Sequence, residues 1–494
     1  LLVLAYFKQW RIVNILAYVL TVIFFGSWVV NHLLYETALP YRNALLFATG
    51  FYLLFFGSNV AYNLRTRGTF RALDISLLLS NTALFYAVGM HCFHHLGNGQ
   101  FQGLFTVSMA ILQFAIVLPL YRRKAVDKNL LYLMIGLVLT FLSLAVPVQL
   151  KGHVITLFWS VEAVLLLWMF QRTKIPVLRL GTVVVTILTM ISLVMDWNQI
   201  YGLLRHASAP TELFPLVNRG FVTGMVTAVT LWLTRFLLQR TPIGIDFLDI
   251  RASDYRTIIG LLFAGTLFFT GLLELRYQLL QFVADVPTRN VVMISYLLAF
   301  LLGAMGYESR HANPALRSVL TVFGGILLVL FPLINWEMVL VRNHFILDQG
   351  ATLAGFLYHY VVLALIVTIG WVTLQRMPAI LDPKSNPRKP GLWVAVLAAL
   401  YLLSAELDHL VVWGLAGADN LSYVLRQNHK IGFPILWGIS SFALMVYGMR
   451  HHWRSLRIIS LTLFLVTLIK LFAVDLKGIS EAGKIASFVS LGLL

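Results

Sequence analysis

The sequence has a single cysteine, Cys92, among its 494 residues. One thiol excludes an intrachain disulfide and any zinc or iron–sulfur site built from several cysteines. Charged residues are also scarce, at 12% of the chain against about 25% in typical soluble domains. This scarcity excludes a water-soluble protein of this length, because too little charge is present to cover a solvated surface.

Motifs with a known catalytic or nucleotide-binding mechanism are missing as well. The sequence contains no Walker loop, no dinucleotide-binding glycine pattern, no G-x-S-x-G elbow and no H-E-x-x-H helix. Its densest histidine group, HCFHH with His91, His94 and His95, matches no metal-ligand spacing. We therefore expect neither a cofactor nor a metal ion.

Long apolar runs dominate what is present. Hydrophobic residues make up 59% of the sequence, and a helix of about 20 apolar residues crosses about 30 Å of hydrocarbon. About sixteen such runs predict an all-α, polytopic membrane protein. Because the sequence starts at Leu1 and stops inside an apolar run at Leu494, we expect both ends to be trimmed.

The formal net charge of +17 is distributed unevenly among the connections. Alternate connections are short and basic, and Lys and Arg gather on the cytoplasmic side of membrane proteins. This pattern predicts a cytoplasmic N-terminus and explains the charge without a nucleic-acid partner. The same orientation places most Asp, Glu and His residues outside, which indicates that any chemistry faces away from the cytoplasm.

Two segments that end in basic turns match each other. FWSVEAVLLLWMFQRTKIPVLRL, beginning at Phe158, aligns with LWGISSFALMVYGMRHHWRSLRI, beginning at Leu436, and weaker copies are RHANPALR and RTRGTFRAL. We predict a parallel duplication of two eight-helix halves, 1–240 and 241–494. The alternative is that short basic turns are common after membrane helices.

Two blocks of the sequence also carry a family resemblance. Their residues are Trp159, Glu162 and Ala163; Leu178-Arg179; and Leu456-Arg457, Lys470, Phe472, Asp475-Leu476, Ser487-Phe488 and Gly492-Leu493-Leu494. The blocks resemble a large family of bacterial polytopic membrane proteins known only as a domain of unknown function. The resemblance implies a multi-pass protein of the bacterial inner membrane and implies no particular activity.

Two ionisable residues lie deep within predicted spans. Glu162 is about eight residues into one span and Lys470 about twelve into another, depths at which charge is costly and marks functional sites. The matching repeat positions hold Ser440 and Ser192, so the repeat does not need either charge to fold. A Glu162–Lys470 pair would lower both burial costs. Alternatively, Glu162 is protonated at a helix contact and Lys470 extends outward.

A second candidate group is ELDH at 406–409, near the outer end of a span. Glu406 and His409 are three residues apart and share a helix face, while Asp408 points elsewhere. A carboxylate beside a histidine suits proton relay or acid/base chemistry. It suits a solvated helix end equally well. His359 is a further candidate because it lies about eight residues inside its span.

The last candidates for a substrate path are residues that follow the repeated hairpins in the sequence. Asp196-Trp197 follows the first hairpin, and Asp475 takes the matching place after the second. A tryptophan beside polar groups at an outer helix end suits a sugar or a lipid headgroup. Interfacial tryptophan belts give the same pattern without a ligand.

The sequence leaves three functions open. The size, the repeat and the deep charges favour a transporter or flippase that moves an envelope component, lipid or glycan, through an outward-facing cavity. The second is a membrane-embedded enzyme acting on a lipid-linked substrate at the outer leaflet, and the third is a scaffold subunit of an envelope complex. The expected partners are membrane lipids, a lipid or glycan substrate and other envelope proteins.

Overall fold

The described part of the protein is helical. The computed structural model describes residues 11–34, 40–66, 72–122, 128–202, 213–240, 251–311, 313–377 and 388–472, together with 485 and 489. Within these ranges the helices are α1 Arg11–Leu34, α2 Tyr41–Thr66, α3 Ala72–Leu96, α4 Gln102–Arg122, α5 Lys128–Gln149, α6 His153–Thr173, α7 Pro176–Tyr201, α8 Arg219–Arg240, α9 Ala252–Phe282, α10 Val286–His311, α11 Pro314–Ile346, α12 Leu353–Leu357, α13 His359–Arg376, α14 Arg388–Leu415, α15 Leu421–Gln427, a π-helical turn Asn428–Gly432, α16 Phe433–Arg450 and α17 Arg454–Lys470.

Thirteen segments in these ranges are long and apolar enough to cross a membrane. Helix α4, apolar over the shorter stretch Gln102–Leu118, and helix α17 coincide with two further predicted spans. The last predicted span, from about residue 482, lies outside the described residues except for residues 485 and 489. The all-α, polytopic class is confirmed, whereas the number sixteen and the duplication stay predictions.

The outer faces of the helices are apolar. Ile12, Phe24, Leu46, Leu261 and Leu333 are each at least 67% exposed. In water, such surface would drive association, but hydrocarbon is the solvent that it suits. The exposed apolar side chains therefore mark the faces that contact lipid.

The chain divides into two units, Leu1–Glu274 (unit 1) and Leu275–Leu494 (unit 2). This division lies within α9, whereas the predicted boundary at residue 240 lies at the end of α8. The predicted domain limits, drawn from the repeat, stay a prediction.

Unit 1 contains two apolar cores. Helices α2 to α5 pack around residues such as Tyr52 and Met134, and helices α6 to α9 pack around residues such as Leu167. Helix association in lipid depends on close packing, which small residues permit. A side chain at Gly224 would collide with Thr270, so this glycine allows α8 and α9 to approach closely.

Unit 2 has its apolar core between α10, α11 and α13. Leu298, Val341 and Val362 are each no more than 2% exposed within it. Asn313 caps α11 by accepting the Leu316 N–H at 3.1 Å, and a proline follows at the first helical position. This proline is tolerated there because its missing N–H would have had no partner in the helix. The packing of these helices brings their ends together, and the polar residues of unit 2 lie at these ends.

The two repeated segments make a similar contact within their own units. Trp159 Nε1 donates to the Ser143 carbonyl at 3.2 Å, and Trp437 Nε1 donates to Ser404 Oγ at 2.9 Å. Each tryptophan lies near the start of its helix and contacts a serine of an earlier long helix, α5 or α14. The acceptors differ, a backbone carbonyl in one unit and a hydroxyl group in the other, and the duplication stays a prediction.

One end of unit 2 contains a buried ion network. Glu308 is 0% exposed and pairs with Arg317 Nε at 3.0 Å and Arg376 Nη2 at 3.1 Å. Arg376 Nη2 also donates to the Met305 carbonyl at 2.8 Å. The sequence indicated Arg317 only as a topology signal and gave no sign of Glu308. Since the three charged residues come from α10, α11 and α13, the network joins the ends of three helices.

We predict that Glu308→Gln lowers the free energy of unfolding by about 2 to 4 kcal/mol, because two guanidinium groups lose their anion. This loss is smaller than the loss expected on breaking a fully buried ion pair, because the Arg317 side chain is 40% exposed and water screens its charge. Thermal and denaturant unfolding in detergent measure the loss. Arg310→Gln, at an exposed position near the same helix end, is the control. An equal loss in both variants would contradict a specific role for the network.

Candidate functional site

A group of polar side chains lies at the opposite end of unit 2, where α11 and α14 finish and α10, α13 and α15 begin. Successive spanning helices run in opposite directions, so these alternate ends belong to one side of the unit. We call this group the polar cluster; its members are Arg342, His359, Tyr360, Glu406, Asp408, His409, Asn428 and His429.

His359 is positioned by a break between two helices. Thr352 caps the short helix α12, and the chain turns at Tyr358 before α13 begins. His359 is 3% exposed, and its Nδ1 donates to the Phe356 carbonyl at 2.5 Å. Its other ring nitrogen, Nε2, lies 3.5 Å from Glu406 Oε2, within ion-pair distance but without the geometry of a hydrogen bond.

The tautomer of His359 determines how this pair holds protons. Because a carbonyl oxygen accepts, Nδ1 carries a proton, and a neutral ring then has none on Nε2. A favourable contact between Nε2 and the Glu406 carboxylate needs one further proton, on the ring or on the carboxyl group. The Tyr360 hydroxyl donates to the same carboxyl group and helps to fix it. The geometry therefore allows one proton to be held between the two groups.

His409 lies one helical turn after Glu406 on α14, as the spacing predicts. It is 2% exposed, and its ring centroid lies 4.8 Å from that of His359. Neither ring nitrogen has a hydrogen-bond partner among the described residues. Such burial argues against a solvated helix end. It leaves a cost of about 1 to 3 kcal/mol for an unpaired polar group, which a bound polar ligand would offset.

Arg342 adds a buried positive charge to the cluster. It is 2% exposed; Nε and Nη2 donate to Asn343 Oδ1 at 3.2 and 3.0 Å, while Nη1 has no partner in the described ranges. Arg342 and Asp408 both lie within electrostatic range of His409. Sequence reasoning missed Arg342. The signal in the sequence was the position of Arg342 at an outer helix end, a side on which the predicted orientation places few basic residues.

Asp408 contacts the next segment of the chain. It accepts hydrogen bonds from Asn428 Nδ2 at 2.7 Å and from His429 Nε2 at 2.8 Å. Both partners belong to the π-helical turn, a geometry that occurs frequently at functional sites. Asp408 therefore faces a different neighbour from Glu406, in agreement with the predicted helix faces.

The candidates from the sequence fall into four groups. His359, Glu406, Asp408 and His409 come together in the polar cluster. Lys470 lies beside it, since its Nζ donates to the His429 carbonyl at 2.7 Å. Asp475 lies outside the described residues, and the remaining three, Glu162, Asp196 and Trp197, belong to unit 1.

In unit 1 these residues have local partners. Thr156 Oγ1 donates to Asp196 Oδ2 at 2.6 Å, and Ser143 Oγ donates to Glu162 Oε1. Trp197 is 6% exposed and packs against Leu193 in a small apolar cluster, so its ring is part of the core. A substrate role for these residues, and the predicted Glu162–Lys470 pair, stay predictions. In the ranges the structure describes, no group of three or more His, Cys, Asp or Glu residues could hold a metal ion.

A second histidine–carboxylate contact lies at the same end of unit 2. Asp285 precedes α10 and accepts the Thr288 N–H at 2.9 Å and its hydroxyl at 2.5 Å, while His344 Nδ1 lies 2.7 Å from Asp285 Oδ1. Burial raises the pKa of the Asp285 carboxyl, but the hydrogen bonds from Thr288 and His344 outweigh burial and hold that pKa below its ordinary value.

The fold and the cluster define a class: a polytopic, α-helical integral membrane protein with a buried and partly unpaired ionisable site in one unit. The chain belongs to the family described as "Predicted membrane protein (DUF2339)", a domain of unknown function whose model matches residues 1–494. The family resemblance found in the sequence is thereby confirmed. No curated protein and no solved structure matches the chain significantly.

We predict that Asp285→Asn lowers stability more at neutral than at acid pH. A lowered pKa in the folded state means that the carboxylate stabilises the fold above the ordinary Asp value of about 3.9. This contribution is lost as the pH falls through the folded-state value. Asn still caps the helix, so the substitution isolates the charge. Melting temperatures at about pH 7 and about pH 3 measure the effect.

The matched control is Asp348→Asn, at an exposed turn position. An equal loss of stability from Asp285→Asn at both pH values would show that the Asp285 charge makes no pH-dependent contribution to stability.

Proposed function

We propose that this protein transports an envelope component, a lipid or a glycan, and that protons bound at the polar cluster are linked to the movement. One observation carries the proposal: His359, Glu406 and His409 are packed together inside a membrane-spanning unit, with both nitrogens of His409 unpaired in the described ranges. Ionisable groups inside spans are rare and characterise proton relays and substrate pathways.

The depth of the cluster supports this role. Glu406 and His409 lie nine and six residues before the end of α14 at Leu415, which corresponds to about 14 and 9 Å along the helix. A proton at this depth has left bulk water. A proton shared by His359 and Glu406 can therefore change the charge of a buried site when substrate arrives.

The unpaired donors support a substrate with a polar head. Arg342 Nη1 and one ring nitrogen of His409 can donate to phosphate or carboxylate oxygens, for which guanidinium has suitable geometry. The Glu406 Oε1 atom, also without a partner in the described ranges, can accept from a hydroxyl group. The apolar exterior of the helices suits the lipid part of such a substrate.

In this proposal the protein resides in a bacterial inner membrane with the polar cluster on the outer side. The support is the sequence pattern, in which alternate connections are short and basic. In unit 2 the arginines next to such connections, at the end opposite the cluster, are Arg310, Arg317, Arg376, Arg450, Arg454 and Arg457. The same orientation gives a cytoplasmic N-terminus.

Labelling of introduced cysteines tests this orientation. Cys92 is fully buried and gives a low background. A membrane-impermeant maleimide applied to spheroplasts should label Gln349→Cys, in an exposed turn at the cluster end. It should label His452→Cys, in an exposed turn at the basic end, only after permeabilisation. The opposite pattern would overturn the orientation.

Glu406→Gln should slow the movement of substrate. In proteoliposomes with a pH gradient, transfer of a fluorescent anionic phospholipid or of an isoprenoid-linked sugar phosphate should fall on the order of a hundredfold, because the shared proton is lost. Asp419→Asn, at an exposed acid in a nearby connection, is the matched control and should retain the rate. The proposal would be contradicted if Glu406→Gln transferred the probes at an unchanged rate. It would also be contradicted if the unaltered protein transferred neither probe.

A membrane-embedded enzyme is the second candidate, because Glu406 beside His359 has the composition of an acid/base pair. Mass spectrometry of the lipid-linked probe after incubation distinguishes the two. A converted probe favours the enzyme, whereas an unchanged probe that has crossed the membrane favours transport. Loss of function in Glu162→Gln but not in Asp408→Asn would also favour transport over acid/base chemistry at the cluster.

A further inference from the structure

Glu162 occupies the middle of a spanning helix in unit 1. It lies nine residues after the start of α6 and eleven before its end, so about 14 and 16 Å of helix separate it from the two ends. Its side chain is 6% exposed and packs beside Ala163 and Leu166, which belong to an apolar core. The carboxyl group is therefore far from water in either direction.

The hydrogen bonding of this carboxyl group is half complete. Ser143 Oγ of α5 donates to Oε1, and Trp159 Nε1 donates to the Ser143 carbonyl, which fixes that serine. The second oxygen, Oε2, is buried and has no partner among the described residues. An ionised carboxylate in hydrocarbon needs donors or a cation at both oxygens, whereas a carboxylic acid is uncharged, accepts from Ser143 at its carbonyl oxygen and leaves only its hydroxyl without a partner.

Charged groups of the surrounding helices lie at other levels of the membrane. The ionisable residues on α5, α6, α7 and α8 are Lys128, Tyr132, His153, Arg172, Arg179, Asp196, Tyr201, Arg219, Arg235 and Arg240. Asp196 accepts from Thr156, about 9 Å along α6 from Glu162. Arg179 lies 5.7 Å from the Phe170 ring, about 12 Å along the helix in the other direction.

The arginines of α8 are similarly distant. Ser160 on α6 is hydrogen-bonded to Thr227 on α8 at 3.0 Å, which sets the relative level of the two helices. Arg219 and Arg235 are each eight residues, about 12 Å, from Thr227. On α9, Arg256 lies four residues nearer the start of the helix than Gly260, which contacts Arg235, so it is further from the level of Glu162 than Arg235 is. Among the ionisable residues of α5 to α8 and this arginine, no cation is therefore positioned to stabilise an ionised Glu162, and burial of an unpaired carboxylate in hydrocarbon is costly.

We propose that Glu162 is a proton-binding site: a carboxyl group that is neutral at physiological pH and that reacts with lipid-soluble carbodiimides. It is a second proton site, in unit 1, and it does not depend on the proposed role of the polar cluster. Only a protonated carboxyl group adds to a carbodiimide. Its O–H adds across one C=N bond to give an O-acylisourea, the proton goes to nitrogen, and no group leaves.

The test treats the protein in lipid vesicles with dicyclohexylcarbodiimide at neutral pH and maps the adducts by mass spectrometry. Glu162 should be labelled, and labelling should disappear as the pH is raised through the value at which the acid ionises. Glu308, equally buried but paired with Arg317 and Arg376, is the internal control and should remain unlabelled. An unlabelled Glu162 at neutral pH would overturn the proposal.

Infrared spectroscopy gives an independent measurement. The C=O band of a protonated carboxyl group should be present in the unaltered protein and lost in Glu162→Gln. Should Glu162→Gln fail to fold, Ser143→Ala serves instead, because removal of the hydrogen bond to Oε1 should shift that band to higher frequency. An unchanged band in a folded variant would contradict the assignment.

One result would assign the charge differently and overturn the proposal. If Glu162 pairs with Lys470, the carboxyl group is ionised, and both the label and the acid band should appear only in Lys470→Gln. Protection of Glu162 from carbodiimide by Na⁺ at constant pH would support the proposal, because Na⁺ can displace only a proton that the carboxyl group already holds.

Discussion

Hydrocarbon offers no hydrogen-bond partners, so every polar group inside the spanning helices depends on a partner within the protein. Most polar side chains of this chain satisfy that constraint locally. The threonines of α8, for example, face the interior of unit 1 and donate to backbone carbonyls, as Thr227 does to Thr223 at 2.9 Å and Thr234 to Thr230 at 2.9 Å. Such bonds allow a helix to carry hydroxyl groups through the membrane without a binding function.

The two ends of unit 2 satisfy the constraint to different degrees. At one end, Glu308 is matched by Arg317 and Arg376, so each charge has an opposite partner. At the other end, Arg342 and His409 are just as deeply buried but retain unpaired nitrogens in the described ranges. The first group is explained by stability because its charges lie in ion pairs, although Arg376 Nη1 there also lacks a hydrogen-bond partner in the described ranges. The second group, in which both His409 nitrogens lack partners, is better explained by a function that uses these donors and acceptors.

The sequence predicts the class of the fold well, since span length and composition follow directly from bilayer thickness. It also predicts that Glu406 and His409 share a face, because three residues nearly complete a helical turn. It could not predict that His359 contacts Glu406, or that Arg342 joins them. These partners come from α11, α13 and α14, and no local spacing relates residues on separate helices.

The sequence also could not predict the ion pairs or the π-helical turn, because local spacing does not determine how helices pack. Arg317 carries a topology signal in the sequence, but its contact with Glu308 depends on how α10 and α11 pack. The π-helical turn at Asn428–Gly432 has no recognisable pattern, yet it places Asn428 and His429 against Asp408. Local sequence therefore indicated where charge is unusual, and packing decided which charges are paired.

An experimental density map of the purified protein in lipid tests most directly whether the polar cluster is a binding site. A substrate site predicts non-protein density in contact with Arg342 Nη1 and the His409 ring, continuous with the apolar exterior of the helices. A closed cluster in which protein side chains satisfy Arg342 and His409 would contradict it and would make the cluster a structural contact of a scaffold protein.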